Sequence, residues 1–466
     1  MKPMLGLALW LAAGWMGPDA EVMAQSAPTN SVADSQLTTI DQALLLARQK
    51  HQPVFVDFSA SWCHSCFAMR DHVLTGPQWE AEKKKFVLIE SDADSDNGSA
   101  WMEKLKVPSL PTYLILNPDG SERARIIGEV PQAKFMQTLD VILAGQGSLE
   151  QRQARAAKGS MVDLAAVIED YLGRFKVSEG LAWFRQLPAP VRQTAATNPL
   201  TAPGLSLLQM RELASEVDLA TAQQKPLAGL ISRCRRQADK ALAYAHDRHR
   251  FAVVSSLASC VQSLPLAERR AVLARPLASL QPLLQQVFGR DAAKVDLLEY
   301  TTEMEWIYGV VQQPDRKKAV QDQAIATARR LLDDGRGGLD VRHNRSVAEN
   351  LQIILDHAGE NAARLKVLKL LAEAYPDEYY YLQEYGSALV AAGDASQGLP
   401  LLDRAVRLAP AEKQESLAWP RTKALMQLHR QKEAEAVVAA VLKAHPHPAP
   451  GPEAYQLQDL QSLLKH

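Results

Sequence analysis

The chain has 466 residues, a length that predicts about three domains once any leader is removed. Its 52 lysines and arginines nearly balance 53 aspartates and glutamates. This balance argues against nucleic acid or an anionic membrane surface as the main partner, because both attract proteins with an excess of positive charge.

The first 24 residues have the pattern of a secretory signal. One lysine precedes an apolar run from Met4 to Met16, which is shorter than the roughly 20 residues that a helix needs to cross a membrane. We expect residues 1–24 to be cleaved after Ala24, residues 25–37 to form a flexible lead, and the mature chain to have no membrane span. An uncleaved membrane anchor is the alternative.

Residues 38–145 alternate between helical and strand patterns. The predicted elements are a helix capped by Thr39 or Asp41, strands at 54–58, 86–90, 113–116 and 124–127, and helices that start at Cys66, at 99–105 and at 131–143. This order predicts an α/β fold with a central sheet and helices on both faces.

Cys63 and Cys66 lie where the first strand gives way to a helix. Unpaired N–H groups and the positive end of the helix dipole stabilise a thiolate there, which is the attacking form of sulfur. Cys66, one turn later, is placed to resolve a mixed disulfide that Cys63 has formed. Burial would raise the pKa of Asp57, in the preceding strand, and let it exchange a proton with the resolving thiol.

Metal sites explain this cysteine pair less well. Zinc needs four ligands, and the sequence has no second Cys-x-x-Cys. Haem attachment needs a histidine directly after the second cysteine, where Phe67 stands instead. We therefore expect no metal and no cofactor, although two soft thiolates leave a Cu(I)-handling protein open as an alternative.

The run Val-Asp-Phe-x-Ala-x-Trp-Cys-x-x-Cys that ends at Cys66 resembles the active-site segment of the thioredoxin superfamily. The stretch Lys-Val-Pro-Ser-Leu-Pro-Thr that ends at Thr112 resembles the cis-proline loop of that family. The acidic insert from Ser91 to Asn97 is similar to the periplasmic C-terminal domains of transmembrane thiol:disulfide interchange reductases. These likenesses extend from Thr38 to Gly145.

The resemblance implies a role for each of these residues. Cys63 is expected to be the nucleophile, Cys66 the resolving thiol and Asp57 the buried acid/base. Trp62, Leu110 and Pro111 are expected to bind the substrate, with the backbone beside a cis Pro111 pairing with an extended substrate segment. It also implies a periplasmic location, protein or peptide disulfides as substrates, and a membrane thiol-reductant transporter as the electron donor.

The sequence departs from the family inside the motif. His64 and Ser65 replace the Gly-Pro of thioredoxins, and Phe67 stands where a lysine is common. A protonated His64 would stabilise the Cys63 thiolate further, so we expect it to tune the redox chemistry. The direction of electron flow stays open, because an oxidase or isomerase would use the same cysteines.

The remainder of the chain has only helical periodicity. We expect a linker or solvated helix at 146–159, a helical domain at 160–341, and a tail or helix at 447–466. Residues 345–446 resemble tetratricopeptide repeats, because Pro376, Pro410 and Pro446 each close a helix pair at nearly regular spacing. Such repeats bind protein partners on a concave surface, which the tyrosines at 379–381 and 385 could line. An irregular helical bundle is the alternative.

Cys234 and Cys260 each lie on the apolar stripe of a predicted helix. A polar segment at 246–249 separates the helices and contains the midpoint of the two cysteines, which would therefore face each other in an antiparallel pair. We expect a structural disulfide in an oxidising compartment. Two buried unpaired thiols are the alternative.

Taken together, the sequence predicts a thioredoxin-fold α/β domain followed by an all-α domain of helix pairs with tetratricopeptide-like repeats. The function that fits best is periplasmic reduction of protein disulfides, with the repeats binding a partner. A protein-binding scaffold, in which the thioredoxin domain only docks, is a second hypothesis. Intact Cys63 and Cys66 count against it, because an adaptor has no need of a vicinal thiol pair.

Overall fold

The computed structural model describes residues 37–130, 132–143, 148–245, 247–289, 296–409 and 416–444, together with residues 292, 413, 414, 460, 462 and 464. The expected signal at 1–24, almost all of the flexible lead and most of the expected tail at 447–466 lie outside these residues.

The first part of the described chain is built around a four-stranded sheet with strand order β2-β1-β3-β4. The strands are β1 (Val54–Ser59), β2 (Val87–Asp92), β3 (Thr112–Leu116) and β4 (Glu122–Ile127). β1 pairs in parallel with β2 and antiparallel with β3, which pairs antiparallel with β4. The helices of this part are α1 (Ile40–Lys50), α2 (His64–His72), α3 (Gly76–Glu82), α4 (Asp96–Leu105) and α5 (Gln132–Val141).

Strand β1 separates two apolar cores because its side chains alternate between the faces of the sheet. Val54, Val56 and Phe58 join the core beneath α1 and α4. Phe55 joins the opposite core, which includes Met69 of α2 and Phe135 of α5. Helices therefore cover both faces, and the prediction of an α/β thioredoxin fold is confirmed. The alternation also places Asp57 on the same face as α2.

Beyond this sheet, the described chain is almost entirely helical. The helices are α6 (Leu149–Ala157), α7 (Met161–Gly173), α8 (Val177–Gln186), α9 (Ala189–Ala195), α10 (Ala202–Ala222), α11 (Ala228–Tyr244), α12 (Asp247–Val261), α13 (Leu266–Val287), α14 (Leu297–Val310), α15 (Pro314–Leu331), α16 (Arg345–His357), α17 (Asn361–Ala374), α18 (Tyr379–Ala391), α19 (Ala395–Leu408), α20 (Ala418–Gln427) and α21 (Gln431–Ala444). We call residues 148–444 of the described chain the helical region. Among the described residues, none of the helices combines the length and apolarity needed to cross a membrane.

The expected linker at 146–159 is instead largely part of the helical region. Ser148 caps α6 by accepting a hydrogen bond from the Gln151 N–H, and the helix packs against α7. Arg152 and Ala156 are buried in that contact, at 7% and 0% exposed. Of the two expected possibilities, a linker or a solvated helix, the described residues contain the helix, because two spaced inward positions anchor it and leave little apolar periodicity.

The expected repeat region contains three successive helix pairs, α16 with α17, α18 with α19 and α20 with α21. The middle pair is in backbone contact. A Cβ atom on Gly386 would lie 2.9 Å from Cγ of Leu402, and one on Gly398 would lie 2.7 Å from the carbonyl oxygen of Gly386. Only glycine permits this approach. The relation to tetratricopeptide repeats stays a prediction, since helix pairs also occur in irregular bundles.

The neighbouring helices α11 and α12 carry Cys234 and Cys260. The structure pairs these cysteines as a disulfide with their Cα atoms 6.5 Å apart, and both side chains are 0% exposed. Helix α12 begins at Asp247, so residues 247–249 of the expected turn are helical instead, and residue 246 lies outside the described residues.

Replacing both Cys234 and Cys260 by alanine is expected to lower the free energy of unfolding of this helix pair by about 3 kcal/mol, because the bond closes a loop with a sequence separation of 26. Hydrogen exchange of the α11 and α12 amides measures the loss locally, since a chain of several parts need not unfold in one step. The matched control replaces Cys63 and Cys66 instead and should leave exchange in α11 and α12 unchanged. Unaltered protection in the first variant would contradict the structural role of the bond.

Candidate active site

Cys63 occupies the N-cap position of α2, directly after β1. Its Sγ atom accepts a hydrogen bond from the Cys66 N–H at 3.2 Å. This is the donor that would stabilise a thiolate once the bond is reduced. The two cysteines form a disulfide with a Cα separation of 5.2 Å, and they are 5% and 3% exposed.

Asp57 lies in β1 on the α2 side of the sheet, opposite Tyr113 of β3 and beside Glu90 of β2. Its Oδ1 atom is buried and has no hydrogen-bond partner among the described residues. Burial, reinforced by the charge of Glu90 and opposed by that of Arg70, raises the pKa of Asp57 to about 7. A carboxyl group with this pKa can both accept and donate a proton near neutral pH.

The proline loop lies against the cysteines. The Leu110–Pro111 peptide bond is cis, and Leu110 packs on the small cluster formed by Ala60, Cys63 and Cys66. Trp62 is half-exposed, and its Nε1–H donates a hydrogen bond of 2.7 Å to Oδ2 of Asp94. The structure therefore brings the expected substrate-binding residues to the edge of the disulfide.

His64 contacts a residue that is distant in sequence. Its Nε2 atom lies 3.3 Å from Oδ2 of Asp296, the N-cap residue of α14. Burial alone would lower the pKa of His64, but the hydrogen bond and charge of Asp296, with the charges of Glu349 and Glu299, outweigh burial and raise it. Burial likewise opposes ionisation of Asp296, and His64 overcomes it, so that the pKa of Asp296 is lowered.

Four residues of the helical region reach the surface around the disulfide, a position that sequence analysis did not predict for any of them. Asp296 also accepts a hydrogen bond from Ser65 at 3.0 Å. The guanidinium group of Arg345 lies 4.0 Å from the centroid of the Phe67 ring. The others are Tyr379 and Lys413, which both contact Asp94, with its side chain only 3% exposed.

No local signal in the sequence predicts these contacts. The Ser65–Asp296 hydrogen bond joins residues 231 positions apart, and the Tyr379–Asp94 bond joins residues 285 positions apart. The unusual Phe67 was the one available hint, because an aromatic ring in place of a lysine creates a surface for a cation. Tyr379 had been considered for a partner surface, and its partner here lies in the same chain.

The described part of the chain contains no group of three or more histidine, cysteine, aspartate or glutamate side chains arranged to hold a metal ion. The groups that surround the disulfide are instead a helix N-terminus, a buried carboxyl group and a histidine. This set suits thiolate chemistry, in which protons and electron pairs move between sulfur atoms.

Comparisons with known proteins bear on this interpretation. Residues 40–142 match a family model described as a thioredoxin-like domain. The thiol:disulfide interchange protein DsbD of Pseudomonas fluorescens is 40% identical over 99 residues, which is 20% of this chain and 17% of that relative. The protein DsbD 2 of Pseudomonas aeruginosa is 30% identical over 118 residues, 23% of this chain and 20% of the relative.

A thioredoxin from Thermus thermophilus, whose structure was solved in solution, is 27% identical, and the match covers 23% of this chain and 85% of that chain with a TM-score of 0.22. The matched part of this chain spans only about a fifth of the length of the two interchange proteins. The expected resemblance is confirmed for residues 40–142, which form a thioredoxin-like domain.

Proposed function

We propose that the protein is a thiol-disulfide oxidoreductase that reduces disulfide bonds in protein or peptide substrates. The observation that carries this proposal is the position of the Cys63–Cys66 pair, at the start of α2 and on the face of the sheet that holds the buried Asp57. The names of the interchange proteins that match the chain agree with such an activity.

The reaction begins from the reduced pair. The Cys63 thiolate attacks one sulfur of the substrate disulfide, forms a mixed disulfide and expels the other substrate sulfur as a thiolate. Asp57 then accepts the Cys66 proton, and the Cys66 thiolate attacks the Cys63 sulfur. This step expels the second substrate thiolate and forms the Cys63–Cys66 disulfide, so two electrons have moved from the protein to the substrate.

Regeneration needs a dithiol donor, because the oxidised pair must receive two electrons to act again. We propose that this donor is a membrane thiol-reductant transporter and that the chain works in the periplasm. The signal-like pattern of residues 1–24 supports an exported location, and the names of the interchange proteins support the donor class.

The proposal is tested by measuring reduction of insulin disulfides by the full mature chain in the presence of dithiothreitol. We expect the chain to accelerate reduction, and Cys63→Ser to abolish the acceleration because the attacking thiolate is gone. A copper chelator should leave the rate unchanged. Absence of acceleration in wild type, with insulin and with small disulfides alike, would overturn the proposal, and inhibition by the chelator would favour the Cu(I) alternative.

A further inference from the structure

Residues from the helical region of the same chain lie on the surface that surrounds the disulfide. We define the redox face as the surface formed by Trp62, His64, Ser65, Phe67 and Asp94 around Cys63 and Cys66. We define the cover as the part of the helical region formed by Asp296, Arg345, Tyr379 and Lys413, which contacts that face.

The cover holds both residues that lie between the two cysteines. Oδ2 of Asp296 accepts a hydrogen bond from Ser65 at 3.0 Å and lies 3.3 Å from Nε2 of His64. Asp296 is 1% exposed, and its own N–H donates to Glu129 of the thioredoxin-like domain at 3.1 Å. A buried carboxylate with these donors fixes the position of the segment that a protein substrate would need to approach.

Arg345, the first residue of α16, binds next to the second cysteine. Its guanidinium group lies over the Phe67 ring, and its Nε–H donates to the Tyr381 hydroxyl group at 2.7 Å. Its Nη2 atom is 3.5 Å from the carbonyl oxygen of Ser61. Because the side chain is only 12% exposed, this cation–π contact is shielded from water and is correspondingly strong.

The third contact holds Trp62 through a shared carboxylate. Asp94 accepts hydrogen bonds from Trp62 Nε1 and from the Tyr379 hydroxyl group, both at 2.7 Å. Lys413 Nζ lies 3.0 Å from its other oxygen. Two residues of the cover therefore hold Asp94 in place, and Asp94 in turn holds Trp62. Cys63 itself is 5% exposed and packs against its own domain, while the three cover contacts occupy the residues around it, where a protein substrate would have to bind.

We propose that the cover competes with protein substrates for the redox face, so that a protein disulfide reacts only after the cover has moved away. The inference rests on the proposed function, since it identifies what limits access to the same cysteine pair. It also assigns the helical region a partner, which is the thioredoxin-like domain of its own chain.

The ionic contact gives the competition a pH dependence. The charged groups that face His64 are Asp296 and Glu299 of α14 and Glu349 of α16. Since these raise the pKa of His64 in the docked state, docking is stabilised below about 6.5, the ordinary value. That stabilisation is lost as the pH rises through the raised pKa.

The test measures access to Cys63 without requiring catalysis. In a reduced Cys66→Ser background, the full chain is alkylated with N-ethylmaleimide or with a maleimide on a long polyethylene glycol chain. The extent of reaction is read on the tryptic peptide of residues 51–70, which then holds one cysteine. A variant can also change the reactivity of the Cys63 thiolate, and such a change affects both reagents equally. We therefore use the ratio of the rate with the polymer maleimide to the rate with N-ethylmaleimide.

We expect the ratio of the polymer-maleimide rate to the N-ethylmaleimide rate to be much lower for the native chain than for the same chain in urea. Arg345→Ala should raise the ratio about tenfold by removing the shielded cation–π contact. Tyr379→Phe, which deletes a single hydroxyl group, should raise it about threefold. The ratio in the parent chain should also rise from pH 6 to pH 8, and do so less in Asp296→Asn.

The matched control is Arg155→Ala. Arg155 is 34% exposed and pairs with Asp163 between α6 and α7, which carry no residue of the cover, so the ratio should stay unchanged. Circular dichroism verifies that each variant is folded. A native ratio equal to that in urea, or folded Arg345→Ala and Tyr379→Phe chains with the parent ratio, would overturn the proposal. Either result would leave the insulin assay unaffected, so the two proposals fail separately.

Discussion

Cys66→Ser is expected to convert the protein into a covalent trap for its substrates. Cys63 still attacks the substrate disulfide, but no second thiol in α2 can release the product, so the mixed disulfide accumulates. Turnover should fall at least about a hundredfold while the first attack persists. Non-reducing electrophoresis of the variant, purified from the exported fraction with free thiols blocked, followed by mass spectrometry of the bound chains, measures the effect.

The control for this trap is the Cys63→Ser/Cys66→Ser double variant, which keeps the fold and removes the attacking sulfur. It should hold no partner under the same conditions. Equal capture by both variants would show that binding does not depend on sulfur exchange. That outcome would favour the scaffold hypothesis, in which the thioredoxin-like domain only docks.

Asp57→Asn is expected to slow release of the reduced substrate about a hundredfold and formation of the mixed disulfide less than about threefold. The reason is that Asp57 lies on the α2 side of the sheet and is proposed to act on the thiol of Cys66, and general bases commonly contribute this much or more. In the wild type, the release step should accelerate as the pH rises through about 7, where Asp57 becomes the ionised proton acceptor. The variant should lose that inflection. Stopped-flow fluorescence of the two steps makes the measurement.

A suitable control is Glu90→Gln. Glu90 neighbours Asp57 across β1 and β2 and raises its pKa, but its side chain is 57% exposed and lies at the protein surface. The variant should keep the two-step kinetics and shift the inflection to lower pH. If Asp57→Asn slows both steps equally or neither, the assignment of Asp57 to the resolving thiol is wrong.

The same substitution is expected to stabilise the fold at neutral and higher pH. A folded pKa of about 7 lies above the ordinary value of 3.8, so the folded state disfavours the ionised form. The destabilisation is absent below about pH 4, grows as the pH rises and is complete above 7, where it amounts to about 4 kcal/mol. Thermal unfolding of wild type and Asp57→Asn should therefore coincide near pH 4 and diverge with rising pH.

The thioredoxin-like domain could be predicted because its signals are local. The apolar run at 54–58 and a capping residue at Thr39 or Asp41 were read from a few neighbouring residues, and the structure has β1 at Val54–Ser59 and Thr39 as the cap of α1. The cysteine pair and Asp57 were identified from their positions at the strand-to-helix junction, and Pro111 from the resemblance to the cis-proline loop of the thioredoxin superfamily. Helix α3 was missed because its one buried side chain, Trp79, leaves no periodic pattern.

The contacts between the two parts of the chain could not be predicted. Arg345 and Asp296 look like ordinary surface residues at the start of a helix, and their partners are decided by how α16 packs on α2 and by where the N-terminus of α14 lies. Such packing depends on the whole fold and not on a window of sequence. Where two stripes of one helix pair did face each other, at Cys234 and Cys260, simple symmetry about a turn was sufficient to predict their proximity.

The Cys234–Cys260 bond also bears on how one polypeptide can contain one disulfide that undergoes exchange and a second that stays oxidised. Thiolate attack requires a straight approach to a sulfur atom, and at 0% exposure both of these sulfur atoms are closed to any nucleophile unless α11 and α12 separate. The bond is therefore protected kinetically from reduction. A dithiol donor that reduces Cys63 can therefore act repeatedly on the chain without reducing this buried bond. For the same reason, one copy of the chain does not reduce the buried bond of another copy.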